Sequence, residues 1–108
     1  MLKEKGIMFQ INSLLELKIK AVQINIDKIK NIIPNNVIIR NIKDTNLEMR
    51  YEEQHSFIVS LNKESLNWDI EYYMHSFISK NITTKELVDK GIIHYFDNLI
   101  NSYYAYEY

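Results

Sequence analysis

The sequence predicts an α+β fold: a long N-terminal helix packed on a small three-stranded antiparallel sheet, followed by two aromatic-rich C-terminal helices. Three observations lead there. Ser13–Ile33 (SLLELKIKAVQINIDKIKNII) keeps helical spacing over its whole length. Val37–Asn62 alternates between apolar and polar residues across short polar gaps. From Ser65 onward, apolar spacing of three and four returns with most of the aromatic residues.

In the first segment Leu15, Ile19, Val22, Ile26, Ile29 and Ile33 recur at steps of three and four, opposite Glu16, Lys20, Gln23, Asp27 and Lys30. Such a stripe separates water from core on one helix. Ser13 and Glu16 stand at capping-box spacing, and Pro34 stops the helix because it lacks an N–H and disfavours helix in the residue before it. Upstream, Gly6–Ile11 alternates and reads as a short strand, with a first helical turn as the alternative. Downstream, Pro34–Asn36 form a turn. Val37–Lys43, Leu47–Glu52 and Ser56–Asn62 then read as strands joined by Asp44–Asn46 and Glu53–His55, both of hairpin length. Leu47, Met49 and Tyr51 share one face and Glu48, Arg50 and Glu52 the other, the mark of an antiparallel sheet with one wet side. Phe57, Val59 and Leu61 also face the core, and the long helix is the natural cover.

Ser65 can cap a helix over Leu66–Lys80 with Leu66, Ile70, Tyr73 and Phe77 on one side, although residues 66–74 also alternate like a fourth strand. Thr83 and Glu86 repeat the capping-box spacing ahead of a stripe from Leu87 to Tyr103. Gly91 is either a C-cap or an interruption, and the preferred reading is one continuous or slightly bent helix to about Tyr103, with Ser102–Tyr108 as a tail.

The 108 residues fit one domain, and two glycines and one proline leave no room for an internal linker. Without cysteine there are neither disulfides nor thiol chemistry. The opening residues are too polar for a signal-peptide core, and no apolar run reaches the roughly 18 residues of a membrane span, so the expectation is a soluble cytoplasmic protein. Ile, Asn, Lys and Tyr supply 49 of the 108 residues, the signature of an AT-rich coding sequence, which weakens β-branched richness as a sign of strands. Charge is polarised: residues 1–43 carry +5 and residues 64–108 carry −4, which the fold or a dimer can neutralise.

The motif search excludes more than it finds. The glycines stand alone, there is no phosphate loop or nucleophile elbow, and His55, His75 and His94 are scattered. Glu71–His75 and His94–Asp97 have helical spacing that two adjacent helices could join into a metal site, yet such spacings arise often by chance. No cofactor, metal, small-molecule substrate or catalytic residue is expected. Lys18, Lys20, Lys28 and Lys30 offer a Lys-rich nucleic-acid face as an alternative, against the plainer reading of a solvated helix surface.

The aromatic concentration points furthest. Ten aromatic residues fall in the last 41 positions amid an acidic excess. Tyrosine gives large amphipathic contact area at little conformational cost, which enriches it at protein interfaces. Trp68, Tyr72, Asp97, Tyr104, Tyr106 and Tyr108 are therefore the expected protein-binding residues. The expected function is a non-enzymatic protein-binding module whose partner is another protein or, in a homodimer, its own twin. In size and composition, rather than in motif, the chain resembles phage and mobile-element inhibitors of host defence, including anti-CRISPR-type proteins.

Overall fold

The computed structural model describes residues 2–107, with side chains described for 13–106. The element order is α1 (Leu2–Asn31), β1 (Val37–Lys43), β2 (Asn46–Tyr51), β3 (His55–Leu61), β4 (Trp68–Tyr72), β5 (Phe77–Ile82), α2 (Thr84–Lys90) and α3 (Ile92–Glu107). The five strands form one antiparallel sheet in the order β1-β2-β3-β4-β5, each paired with its chain neighbour. The α+β class therefore holds, with a sheet of five strands rather than three.

Alternation places the core on one sheet face. Leu47, Met49 and Tyr51, then Phe57, Val59 and Leu61, are buried as the pattern predicts. Trp68, Ile70 and Tyr72 continue that face, so the rival strand reading of 66–74 is correct and the Ser65-capped helix over Leu66–Lys80 does not form. The other face carries Ile38, Glu48, Arg50, Ile58, Glu71 and Ile78, all half-buried or exposed. In β1 a register shift between Ile39 and Asn41 lets Ile42 pair with Leu47 on the core side, which simple alternation would not give.

The helices lie over the core face. Ile26 and Ile29 of α1, Leu87 of α2, and Ile92, Tyr95, Phe96 and Leu99 of α3 join the strand residues in one buried cluster. Thr83 caps α2 as its spacing predicts, its side chain accepting from the Glu86 N–H at 3.0 Å. Gly91, at φ 85°, accepts the left-handed backbone that separates α2 from α3, so one continuous helix across it is ruled out. Helix α3 runs on to Glu107, so residues 102–107 of the expected tail are its last turns, and Tyr108 lies outside the described residues.

Two expectations for the N-terminal segment also need correction. The helix begins at Leu2, so Gly6–Ile11 is helical rather than a strand, and Ser13 lies inside α1 instead of capping it. Only the C-terminal part of the α1 stripe is used by the fold: Ile26 and Ile29 are buried and Val22 packs against the cluster, whereas Leu15 and Ile19 are exposed. A 30-residue helix is about 45 Å long. Its first half overhangs the sheet, and the molecule measures 67 × 26 × 24 Å.

A polar relay ties the layers together. Trp68 Nε1 donates to Thr84 Oγ1 at 2.8 Å, Thr84 Oγ1 donates to Asn25 Oδ1 at 2.6 Å, and Asn25 Nδ2 donates to the Ala21 carbonyl at 2.7 Å. One threonine hydroxyl thus joins β4, α2 and α1. Replacing Thr84 with Val leaves the buried indole N–H without its acceptor, a loss of about 1–3 kcal/mol. A urea melt is expected to show that loss for Thr84→Val and little change for Thr84→Ser.

Candidate protein-binding surface

Both aromatic-rich segments converge at the end of the sheet that carries the β2–β3 and β4–β5 turns. Phe57 of β3 stacks between Phe96 of α3 (ring centroids 4.0 Å apart) and Tyr72 of β4 (4.9 Å). Tyr51 tilts against Phe96 at 5.7 Å. Toward the turns, His55 Nδ1 and Tyr72 Oη are hydrogen-bonded at 2.7 Å, and the His75 ring lies 4.4 Å from Tyr72 and 4.2 Å from Tyr103. Farther out, Tyr103 and Tyr106 approach Phe77 edge-on at 6.2 and 6.1 Å, and Tyr104 adjoins Tyr103 at 5.3 Å. The cluster grades from sealed to wet. Tyr73 and Tyr104 are about half exposed, while Met74 and Tyr106 are 82% and 81% exposed.

Local chemistry explains the arrangement. α3 presents Ile92, Tyr95, Phe96, Leu99 and Tyr103 inward at steps of three and four, so the intervening Tyr104 and Tyr106 turn outward. The β4–β5 turn holds Met74 and Ser76 at φ 67° and 50°, and the bend carries the Met74 side chain into solvent. Between Ile92 and Glu107 there is no Lys or Arg, and Asp97 is exposed. This end of the molecule therefore offers rings and phenols beside negative rather than positive charge.

The buried phenols are held protonated. Tyr51 is pushed up to about 12 by burial first and then by the neighbouring Asp97 and Glu52 carboxylates. Tyr72 is raised by burial, then by Tyr104 and Tyr103, and Tyr95 by burial, then by Glu86. Groups so raised are remote from the near-neutral range in which general acid–base catalysis works best. They serve here as packing groups with polar ends.

The sequence-predicted residues divide sharply. Tyr104, Tyr106 and Asp97 are on the surface, as binding requires. Trp68 and Tyr72 are core residues that present no face to a partner, because the alternation that made 66–74 ambiguous in fact turns both rings inward. Tyr108 lies outside the described residues. Tyr73, expected on an apolar helix face, is instead half exposed beside Met74 in the β4–β5 turn, an exposure the helical spacing of 66–80 did not signal. Lys18, Lys20, Lys28 and Lys30 are all exposed, yet at 100° per residue they point to widely separated sides of α1 and form no single stripe. Glu71 and His75 lose their helical spacing to a strand and a turn, and among the described residues no three His, Cys, Asp or Glu gather as metal ligands. No helix among them is long and apolar enough to cross a membrane. No family model matches the chain, and no curated protein or solved structure does.

Two measurements check the electrostatics. Tyr51 titrates near 10 when unfolded and near 12 when folded, so its contribution is fully present below pH 10 and falls as pH rises toward 12. Chemical denaturation across that window is expected to lose stability less steeply in Tyr51→Phe than in the parent. Tyr95 Oη is buried with no hydrogen-bond partner within bonding geometry among the described residues, and the nearby Glu86 carboxylate, after burial, pushes its pKa up. Removing that hydroxyl in Tyr95→Phe is expected to leave stability unchanged or raise it by about 1 kcal/mol in a urea melt.

Proposed function

We propose that the chain is a non-enzymatic protein-binding module that grips another protein with the aromatic end formed by Tyr73, Met74, Tyr104 and Tyr106. The observation that carries this reading is the pair of exposed α3 rings, Tyr104 and Tyr106, standing against the half-buried Tyr103 and Phe77, with Tyr73 and Met74 exposed in the β4–β5 turn whose His75 packs on Tyr103. A surface of this kind combines rigid rings, which lose little freedom when buried, with phenol hydroxyls able to pair across an interface. It also rests on a packed base, so a partner meets a pre-organised shape. Asp97 and the lack of basic residues along α3 favour a partner whose contacting face is basic.

The resemblance to phage and mobile-element inhibitors adds a candidate class of partner, a host defence protein. Capture from host lysate on the immobilised chain, with identification of what is retained, tests both levels. The double variant Tyr104→Ser/Tyr106→Ser is expected to weaken capture by more than tenfold, the scale of losing interface anchors. Its thermal midpoint should stay close to the parent's, because exposed substitutions usually fall within about 0.5 kcal/mol. A large drop in melting temperature would instead mark these rings as structural.

A further inference from the structure

The Trp68–Thr84–Asn25 relay has an outer side. Where α1 and α2 pass each other, a recess of about 440 Å³ opens between Lys28, Asn31 and Ile32 of α1 and Thr84, Lys85 and Val88 of α2. Small-molecule sites run from about 300 to 1,000 Å³. The chemistry of this one is one-sided: both charged groups in its lining are lysines, and it contains no acid. Among the described residues the one ion pair joins Lys63 to Asp44, so neither Lys28 nor Lys85 is neutralised. The acids nearest in sequence stay out of the recess. Asp27 accepts from the Gln23 amide at 2.9 Å, Glu86 acts on Tyr95, and Asp89, one turn past Lys85, lies outside the lining. The Thr84 hydroxyl is already committed to Trp68 and Asn25, which leaves two ammonium groups and the Asn31 amide to meet a guest. Apolar surface continues from there. Ile32 packs against the core and Val88 is 44% exposed. On α1, Leu17, Ala21 and Ile24 fall within about 60° of one another, on the same side as Lys28, at 100° per residue. Leu17 and Ile24 are 62% and 53% exposed, apart from the stripe that the core covers.

We propose that this recess binds a single-chain amphipathic anion, a carboxylate on an aliphatic stem of the fatty-acid kind. The lysine pair selects the head. A carboxylate only accepts hydrogen bonds, and its two oxygens give one acceptor to each ammonium. Ile32 and Val88 select the stem, since covering them removes apolar surface from water, and a longer stem leaves the recess over Ile24 and Leu17. A bare anion such as phosphate would leave that wall wet. Nucleic acid would supply the charge but finds no ring to stack on, because the lining is without an aromatic residue. A bilayer face rests on convex surface, whereas a recess between two helices admits one chain. The lining shares no residue with the aromatic end, so the site is independent of the protein-binding reading.

Calorimetric titration of the full chain with decanoate, below the concentration at which it forms micelles, tests this. One site per chain is expected, and the emission of Trp68, the single tryptophan, should shift as Thr84 is covered. Decanol and inorganic phosphate each carry half of the required chemistry and should bind at least about tenfold more weakly. Lys28→Gln/Lys85→Gln should lose about tenfold in affinity for decanoate, the scale of a charge-assisted hydrogen bond, with an unchanged melt because both residues are exposed. Lys18→Gln/Lys30→Gln removes the same charge from other sides of α1 and should bind as the parent does. Absence of binding overturns the proposal. So does undiminished affinity in the Lys28/Lys85 variant, or decanol or phosphate binding as tightly as decanoate. Pelleting with phosphatidylglycerol vesicles that the Lys28/Lys85 variant abolishes would assign this side to a membrane and overturn it as well.

Discussion

Every apolar strand residue that matters lies on one face of a single sheet, and that face must be covered. A meander of five neighbours leaves no crossover helix to do it, so the cover comes from the two ends of the chain: α1 before the sheet, α2 and α3 after it. This constraint fixes much else. It makes Ile26 and Ile29 meet Leu87 across the core, and it requires that the two covers be registered against each other. The Trp68–Thr84–Asn25 relay supplies that registration at a point where β4, α2 and α1 meet. A hydrogen bond in that position satisfies a buried donor and sets geometry, where apolar contact alone would tolerate sliding.

How far the sequence disclosed the fold depended on whether local patterns agreed. β1 to β3 could be read to within a residue, because alternation, β-branched content and short polar gaps pointed the same way. The Thr83 cap was legible for the same reason. Residues 66–80 carried two patterns at once: Leu66, Ile70, Tyr73 and Phe77 at helical spacing, Trp68, Ile70 and Tyr72 at strand spacing. Sheet completion decided for the strand, since Ile70 pairs with Val59 on the core face. The usual hairpin signal was missing because the left-handed positions are filled by Met74 and Ser76 at one turn and by Glu52 and Glu53 at another, with no glycine to mark them.

The site was legible in part, and its misses follow from the same ambiguity. The exposure of Tyr104 and Tyr106 is legible because adjacent rings on a helix cannot all face inward. Trp68 and Tyr72 were misplaced because their exposure depended on the element to which they belonged, and Tyr73 and Met74 were overlooked because a turn, not a helix, brings them out. At α1 the pattern was sound but the reach was not: a stripe shows which side of a helix is apolar, and only the width of the sheet determines how many turns of that stripe the chain itself can cover. Here the sheet runs out near Val22.

That mismatch of lengths separates two kinds of exposed apolar surface. At the aromatic end, exposure is partial and buttressed. Tyr104 stands against Tyr103, Tyr106 against Phe77, and each ring behind them is anchored in the core, so the surface persists whether occupied or empty. Along the overhanging turns of α1 Leu15 and Ile19 are exposed, and the helix there propagates from turns that the core has already fixed. The first surface keeps its shape through its own packing. The second, at Leu15 and Ile19, lies beyond the part of the stripe that the chain covers itself.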